Sequence, residues 1–376
     1  MDSTTDNNRD KYICTFLLHA LGDTIGFKNA DWEFNYNKEP SLDTVMEFIF
    51  EFIDLGGVNG IDLKDWVVSD DTLYHMSIAK SILKYEGKID EKFMLIVKNN
   101  LIKTHNKMID EEKKGGIYRF PGKTTNKYIQ KFTETEDGRH FSYDKMSGGN
   151  GSAMRNLCIG LAFHKENQLG DLINVSIQTS KMTHNSPIGY LAGLTSAFFI
   201  SLATREVNIL KWPFQLIDLL ESDKIKTIVN TGSKTKNTDE FNDYIEYIKY
   251  WKKYIDTRFV DYKPIKTRST SNMIFRIKYY YENFVKDTNA DFIGGSGFCA
   301  MIMAYDAILD CDGRWEKLVF YAMLHPGDSD TVGAIAGGIY GALFGFGDVP
   351  EKMLCCIESK DSIIEMGNSF YEKFKN

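Results

Sequence analysis

No two cysteines in this sequence are spaced C-x-x-C, and no histidines are spaced H-E-x-x-H. The first absence leaves Cys14, Cys158, Cys299, Cys311, Cys355 and Cys356 as scattered thiols, most of them among apolar neighbours. That pattern implies a reducing, cytoplasmic setting rather than a disulfide framework. The second absence, with only seven histidines, removes the usual zinc signatures. No apolar run is expected to reach the ~20 residues of a membrane span. Met1 to Asp10 is polar and lacks a signal-peptide apolar core, so no membrane association is expected. Net positive charge is missing too. The 45 Lys and Arg against 52 Asp and Glu give −7, a balance that does not draw nucleic acid. Proline is scarce, at seven, and no Pro-, Gly- or Ser-rich linker or fixed-period repeat divides the chain.

What is present is 43% hydrophobic and 26% charged over 376 residues, enough for a large core. Helical spacing recurs, and alternating strand patterns are few. Residues 12–21 are apolar and lead to Gly22-Asp23-Thr24-Ile25-Gly26-Phe27, either a turn or a helix in close contact with a neighbour. Residues 45–55 read as a helix stopped by Gly56-Gly57. Residues 93–108, 153–161, 188–203 and 301–309 read as further helices, and 351–374 as a terminal helix or two. Residues 115–144 are polar and turn-rich, and are expected mostly as surface loops. Residues 244–254 interleave tyrosine with lysine, but Asp243, Glu246 and the acidic total favour an amphipathic surface helix over nucleic-acid binding. The expectation is one compact all-α domain over residues 11–376, monomeric, after a poorly ordered segment at 1–10.

Two acidic stretches exceed what a helix start needs. Ser69-Asp70-Asp71-Thr72 stands directly ahead of Leu73, Met76, Ala79 and Leu83, which keep a helical period. Ser69 or Asp70 alone makes an N-cap. Adjacent aspartates repel, and a divalent cation would resolve the surplus. His325-Pro326-Gly327-Asp328-Ser329-Asp330-Thr331 repeats the arrangement ahead of an uncharged run at 332–346, where Asp330 or Thr331 is either a cap or an oxygen ligand. In that run Gly333, Gly337, Gly341 and Gly345 fall on one helix face. Each costs roughly 1 kcal/mol relative to alanine, which implies a neighbour packed closely on the backbone. Gly189, Gly193 and Ala197 make a second small-residue stripe. Ser147-Gly148-Gly149-Asn150-Gly151-Ser152 and Gly294-Gly295-Ser296-Gly297 are glycine-rich loops that run into helical stretches. Such loops turn backbone N–H groups towards an anion. Neither is a Walker or G-x-G-x-x-G motif, and loop formation alone is the alternative. His184 is either a packed or a functional residue.

Several of these stretches, in this order, resemble the ADP-ribosylglycohydrolase family, in particular its ADP-ribosylarginine hydrolase branch. They are Gly22-Asp23-Thr24-Ile25-Gly26 with Trp32-Glu33-Phe34, Ser69-Asp70-Asp71-Thr72, and Gly149-Asn150-Gly151-Ser152-Ala153-Met154-Arg155. Met182-Thr183-His184 through Gly189-Tyr190-Leu191, Gly295-Ser296-Gly297, Ala304-Tyr305-Asp306-Ala307 and Gly327-Asp328-Ser329-Asp330-Thr331 complete the set. The resemblance spans most of the chain. It implies an all-helical fold and two magnesium ions held by Ser69, Asp70, Asp71, Asp328, Asp330 and Thr331. It places ADP-ribose against Ser147, Gly148, Gly149, Asn150 and Gly151 and against Gly294, Gly295, Ser296 and Gly297, with His184, Tyr190 and Leu191 contributing to the pocket. The implied reaction is magnesium-dependent hydrolysis of the N-glycosidic bond of ADP-ribosylated arginine on proteins, through an oxocarbenium-like transition state. Asp70 or Asp71 would orient the water, and Glu33 is an acid–base candidate.

Two departures stand out. Phe298-Cys299 occupies the place where the arginine-specific branch tends to carry His-Asp, and Tyr118-Arg119-Phe120-Pro121-Gly122 replaces its Gly-Arg-x-Pro-Gly. The first departure motivates a second reading, a catalytically silent ADP-ribose binder or structural protein on the same fold. A hydrolase of O-linked ADP-ribose is a third.

Overall fold

The computed structural model describes residues 3–32, 39–135, 141–231 and 238–375. Among them the chain forms nineteen α-helices and one hairpin, Phe259–Val260 paired antiparallel with Lys263–Pro264, as the all-α expectation requires.

The Ser3–Phe27 helix lies antiparallel along the Ser329–Phe344 helix, backbone against backbone. A Cβ added at Gly333 would sit 2.6 Å from the carbonyl oxygen of Gly22, at Gly337 2.1 Å from that of Leu18, and at Gly341 2.2 Å from that of Cys14. From the other side, a Cβ at Gly22 or Gly26 would meet the carbonyl oxygens of Gly333 and Ser329 at 2.1 and 2.3 Å. This is the close neighbour that the glycine stripe demands. It also settles the alternative at Gly22, where the chain stays helical because glycine serves approach rather than a turn. Gly345 does not belong to the stripe: with φ of +62° it ends the helix. The first helix also takes in residues 3–10, which the sequence places in a poorly ordered segment. There Arg9 Nε donates to Asn368 Oδ1 of the last helix, Lys360–Phe374, at 2.7 Å.

The Pro187–Thr204 helix is, against expectation, long and apolar enough to cross a membrane by itself, but 89% of it is buried inside the protein, which accounts for its composition. Its stripe seats elsewhere: a Cβ at Gly189 would meet the Ser147 carbonyl oxygen, and one at Gly193 the Ser180 Oγ, each at 2.3 Å. Residues 115–144 are not all loop. The Lys123–Thr133 helix buries Thr125, Tyr128, Ile129 and Phe132, a helical stripe masked in the sequence by its polar neighbours. The helix expected at 153–161 is confined to Leu157–Ala162. Ahead of it the Asn150 carbonyl accepts from the Ala153 N–H at 2.7 Å and Arg155 Nη1 donates to the Gly151 carbonyl at 3.2 Å, which keeps residues 151–155 in turns.

The Gly297–Asp310 helix is fixed by a buried ion network. Asp306 accepts from Arg258 Nε and Arg276 Nη2, both at 2.6 Å, and Asp310 accepts from Arg258 Nη2 at 2.8 Å. The charges balance. Removing one partner of such a set leaves an uncompensated buried charge, so the network fixes this helix, and with it the loop at its start, in one place.

Candidate active site

The Asp70–Ile82 helix begins inside the protein. Ser69 Oγ accepts from the Asp71 N–H at 3.1 Å, a normal N-cap. Asp23 of the first helix adds to it. Its Oδ1 accepts from the Ser69 N–H and its Oδ2 from the Thr72 N–H, both at 3.0 Å, and the Thr72 hydroxyl also donates to Oδ2. Capping is thus complete without the side chains of Asp70 and Asp71. Beneath the turn, the Arg119 carbonyl accepts from the Asp70 N–H at 3.0 Å. The Arg119 guanidinium donates to the Val68 carbonyl and forks onto Glu358 at 2.7 and 2.8 Å. Glu358 in turn accepts from the Val68 N–H at 2.9 Å.

The Ser329–Phe344 helix brings the second acidic motif to the same place. Asp328 Oδ2 accepts from Asn150 Nδ2 at 2.9 Å, and Asn150 Nδ2 also donates to the Gly294 carbonyl at 2.8 Å. Asp330 Oδ1 accepts from the Thr331 N–H at 2.8 Å. Burial pushes Asp70, Asp71 and Asp330 well above the carboxylate range, and their like charges push further. On Asp70 the chief neighbour is Asp330, on Asp330 it is Asp71, and on Asp71 it is Asp70. Asp328 is raised by burial, against hydrogen bonds from Asp330, Asn150 and Thr331. Burial lifts Asp23 to about 6. Asp71 Oδ2 is buried with no hydrogen-bond partner. All six expected metal ligands therefore come together in a buried place, where the aspartates repel one another and Ser69 and Thr331 add neutral hydroxyls.

This donor set suits a hard dication, because it is all oxygen, like-charged and holds an orphaned carboxylate oxygen. Among the described residues no three His, Cys, Asp or Glu side chains close into a ready-made cage. Magnesium asks for less, since one or two carboxylates and water usually complete its octahedron.

The two glycine-rich loops meet beside the acidic cluster. Gly149 and Ser296 form an isolated antiparallel bridge, and the Gly297 N–H donates to the Gly148 carbonyl at 3.0 Å. Gly294, with φ of +83°, donates its N–H to Cys299 Sγ at 3.2 Å. Two N–H groups expected to face a diphosphate are therefore already taken, one by the other loop and one by the following helix. Ser147 Oγ and Ser296 Oγ, one on each loop, are buried without partners. The His184 ring packs on the first loop, with Cε1 only 2.7 Å from where a Gly151 Cβ would be. Its Nδ1 pairs with Thr183 Oγ1 at 2.8 Å. Burial, then Arg155, holds it neutral, well below the ordinary histidine value.

Tyr190 and Leu191 stand on the Pro187–Thr204 helix. The Tyr190 ring sits under Lys181 Nζ at 4.5 Å, and burial, then Glu240 and Asp243, pushes its hydroxyl well above the usual value. Leu191 is part of the apolar core. Both are directed there because they fall on buried faces of the Pro187–Thr204 helix. Glu33 lies outside the described residues. Phe298 stacks on Tyr250, centroids 4.1 Å apart and rings within 10° of parallel, and Cys299 steadies Gly294. Sequence reasoning missed the roles of Asp23, Arg119 and Glu358. Asp23 was flagged only by its two glycines, Arg119 only as part of a departure, and nothing near Glu358 signals a contact with Val68.

The sequence profile of the ADP-ribosylglycohydrolase family matches residues 4–376. A protein of Acanthamoeba polyphaga mimivirus described as putative ADP-ribosyl glycohydrolase L444 is 33% identical over 336 residues, covering 88% of this chain and 64% of that protein. ADP-ribosylhydrolase ARH1 of Dictyostelium discoideum is 31% identical, with 95% and 92% covered. ADP-ribosylhydrolase ARH3 of Danio rerio is 22% identical, with 94% and 88% covered. A solved structure described as an ADP-ribosylglycohydrolase-related protein complex superposes with a TM-score of 0.58 at 17% identity, covering 98% of this chain and 99% of that one.

Proposed function

The chain belongs to the ADP-ribosylglycohydrolase family, and from that premise we propose that it hydrolyses the N-glycosidic bond between ADP-ribose and an arginine side chain, releasing ADP-ribose and restoring the arginine. The observation that carries this reading is the meeting of Ser69, Asp70 and Asp71 with Asp328, Asp330 and Thr331 beside paired glycine-rich loops.

The chemistry follows from what those residues are. Cleavage develops positive charge on the ribose ring. A buried acidic cluster stabilises that charge more strongly than water does, because it is already oriented and faces low dielectric. Asp70 or Asp71 orients the attacking water and accepts its proton. Ser147 and Ser296 offer hydroxyls to the diphosphate, and Asn150 ties the loops to Asp328, so that binding ADP-ribose and aligning the aspartates are one event. Magnesium held by Ser69, Asp70, Asp71, Asp328, Asp330 and Thr331 would supply Lewis-acid stabilisation when bound.

The test is release of ADP-ribose from an arginine-ADP-ribosylated protein and from a serine-linked peptide, each in magnesium and in chelator. Release from the arginine substrate alone, lost in chelator, is expected. Preferential release from serine transfers the reading to O-linked ADP-ribose. Calorimetric binding of ADP-ribose without turnover would replace it with a silent binder.

A further inference from the structure

Cys355 and Cys356 are adjacent in sequence at the end of the Glu351–Cys355 helix, and their sulfurs lie 3.0 Å apart. Cys355 is exposed and Cys356 half-buried, whereas Cys14, Cys158, Cys299 and Cys311 are buried. Cys355 Sγ is also 3.0 Å from the Lys352 carbonyl, within the last turn of that helix. Two residues beyond Cys356 stands Glu358, which accepts from the Val68 N–H and forks onto Arg119. Arg119 in turn holds the Val68 carbonyl and the Asp70 N–H. Ser359, the residue after Glu358, sits in the left-handed region at φ of +57°, so the seat of Glu358 depends on a tightly set turn.

We propose that Cys355 and Cys356 form a thiol–disulfide exchange site whose closure to a vicinal disulfide withdraws Glu358 from Val68 and Arg119 and loosens the Ser69-Asp70-Asp71 turn. The co-reactant is a low-molecular-weight disulfide, RSSR. The Cys355 thiolate attacks one sulfur of RSSR, the R–S–S–R bond breaks, and one RS⁻ leaves. The Cys356 thiolate then attacks Cys355 Sγ of the mixed disulfide and expels the second RS⁻. The two protons given up by the cysteines end on the two RSH products. The protein loses two electrons and RSSR gains them.

Neighbouring Cα atoms are about 3.8 Å apart across a trans peptide. Unstrained disulfides prefer about 4.4–6.8 Å. Closing this pair therefore deforms the backbone around residues 355–358, which is what moves Glu358. Strain also makes the bond easy to reduce, so the change reverses under a thiol reductant.

The proposal rests on the acidic motif being the active site, and two of its readouts are independent of activity. The full-length protein is treated with oxidised glutathione, then with dithiothreitol. Disulfide content is read by tandem mass spectrometry, backbone opening by hydrogen exchange, and ADP-ribose release alongside. Expected are a Cys355–Cys356 disulfide, exchange at residues 68–72 faster by about tenfold, a matching fall in release, and recovery on reduction. Cys355→Ser should keep the reduced protein's exchange and activity and abolish the response. A mixed glutathione disulfide that never resolves overturns the proposal, and so does a closed disulfide whose exchange effect stays within residues 351–360. If the exchange response appears in a protein that releases no ADP-ribose in either state, the thiol site stands and the hydrolase reading falls.

Discussion

Asp23 caps a helix to which it does not belong: its Oδ2 accepts both the backbone N–H and the hydroxyl of Thr72, 49 residues away in sequence. Because that carboxylate satisfies the first turn, the aspartates at 70 and 71 are released for chemistry.

Asp23→Asn would set an amide donor among the Ser69 and Thr72 N–H groups. Leaving buried donors unpaired costs about 1–3 kcal/mol. A fall in melting temperature and at least a tenfold loss of kcat/KM are expected, with Thr72→Val, which removes only the hydroxyl, milder in both. Thermal melts and ADP-ribose release measure the pair. Native kcat/KM in the Asp23→Asn variant would show that the cap does not position the aspartates.

Asp330→Asn keeps shape and removes one charge from a repelling cluster. In chelator this variant should melt higher than the parent. With magnesium the order should reverse, because only the parent gains a bound ion, and ligand binding stabilises by RT ln(1 + [L]/Kd). Activity should be abolished. A variant that melts lower in chelator would make the acidic turn a structural feature.

Gly337→Ala tests the helix contact by its sign. In an ordinary helix interior the change stabilises by about 1 kcal/mol. Here the new methyl would stand 2.1 Å from the Leu18 carbonyl oxygen. Forcing the two backbones apart should cost about 3 kcal/mol or more, read as a lower denaturant midpoint with an unchanged slope. A neutral result would mean that the first helix yields without penalty.

Burial holds His19 down at about 4 and His75 well below the usual value. A histidine depressed in the folded state contributes stability that is present above its unfolded pKa of about 6.5 and is lost as pH falls towards the folded value. The raised aspartates work in the opposite sense, contributing stability at low pH that is lost as pH rises. The difference between the parent and His75→Phe isolates the histidine. The ring would stay between Phe16 and His19, which flank it at 4.9 and 4.2 Å. The advantage of the variant should grow by about 1.4 kcal/mol per pH unit below about 6.5, measured by urea unfolding at several pH values. A constant difference would show that His75 does not titrate on unfolding.

The parts of this molecule that announced themselves in the sequence are those where a residue violates a local preference. Gly333, Gly337 and Gly341 on one face of an apolar helix and doubled aspartates at a helix start are costly locally, so each pointed to a partner elsewhere. The partner itself did not show, because close approach of Leu18 to Gly337 is a property of the fold and leaves no mark at Leu18. The Lys123–Thr133 helix was hidden because its buried positions, Thr125, Tyr128, Ile129 and Phe132, are diluted by lysines and threonines. Residues 153–155 carried helical composition but are held in turns by hydrogen bonds onto Asn150 and Gly151. The contact of Lys181 with the Tyr190 ring was not legible either, because spacing alone does not fix rotation about a helix.

The contact between the first helix and the glycine-striped one also sets an order in time. Ser329 Oγ donates to the Gly26 carbonyl across 303 residues of sequence. At a rate of roughly 5–20 residues per second, Gly26 is synthesised on the order of 15–60 s before Ser329. Through that interval the glycine face of the first helix is bare, and Asp23 has a cap to offer while Asp70 and Asp71 still lack their acidic counterparts. The acidic centre is thus assembled late, by the stretch of sequence that completes the core.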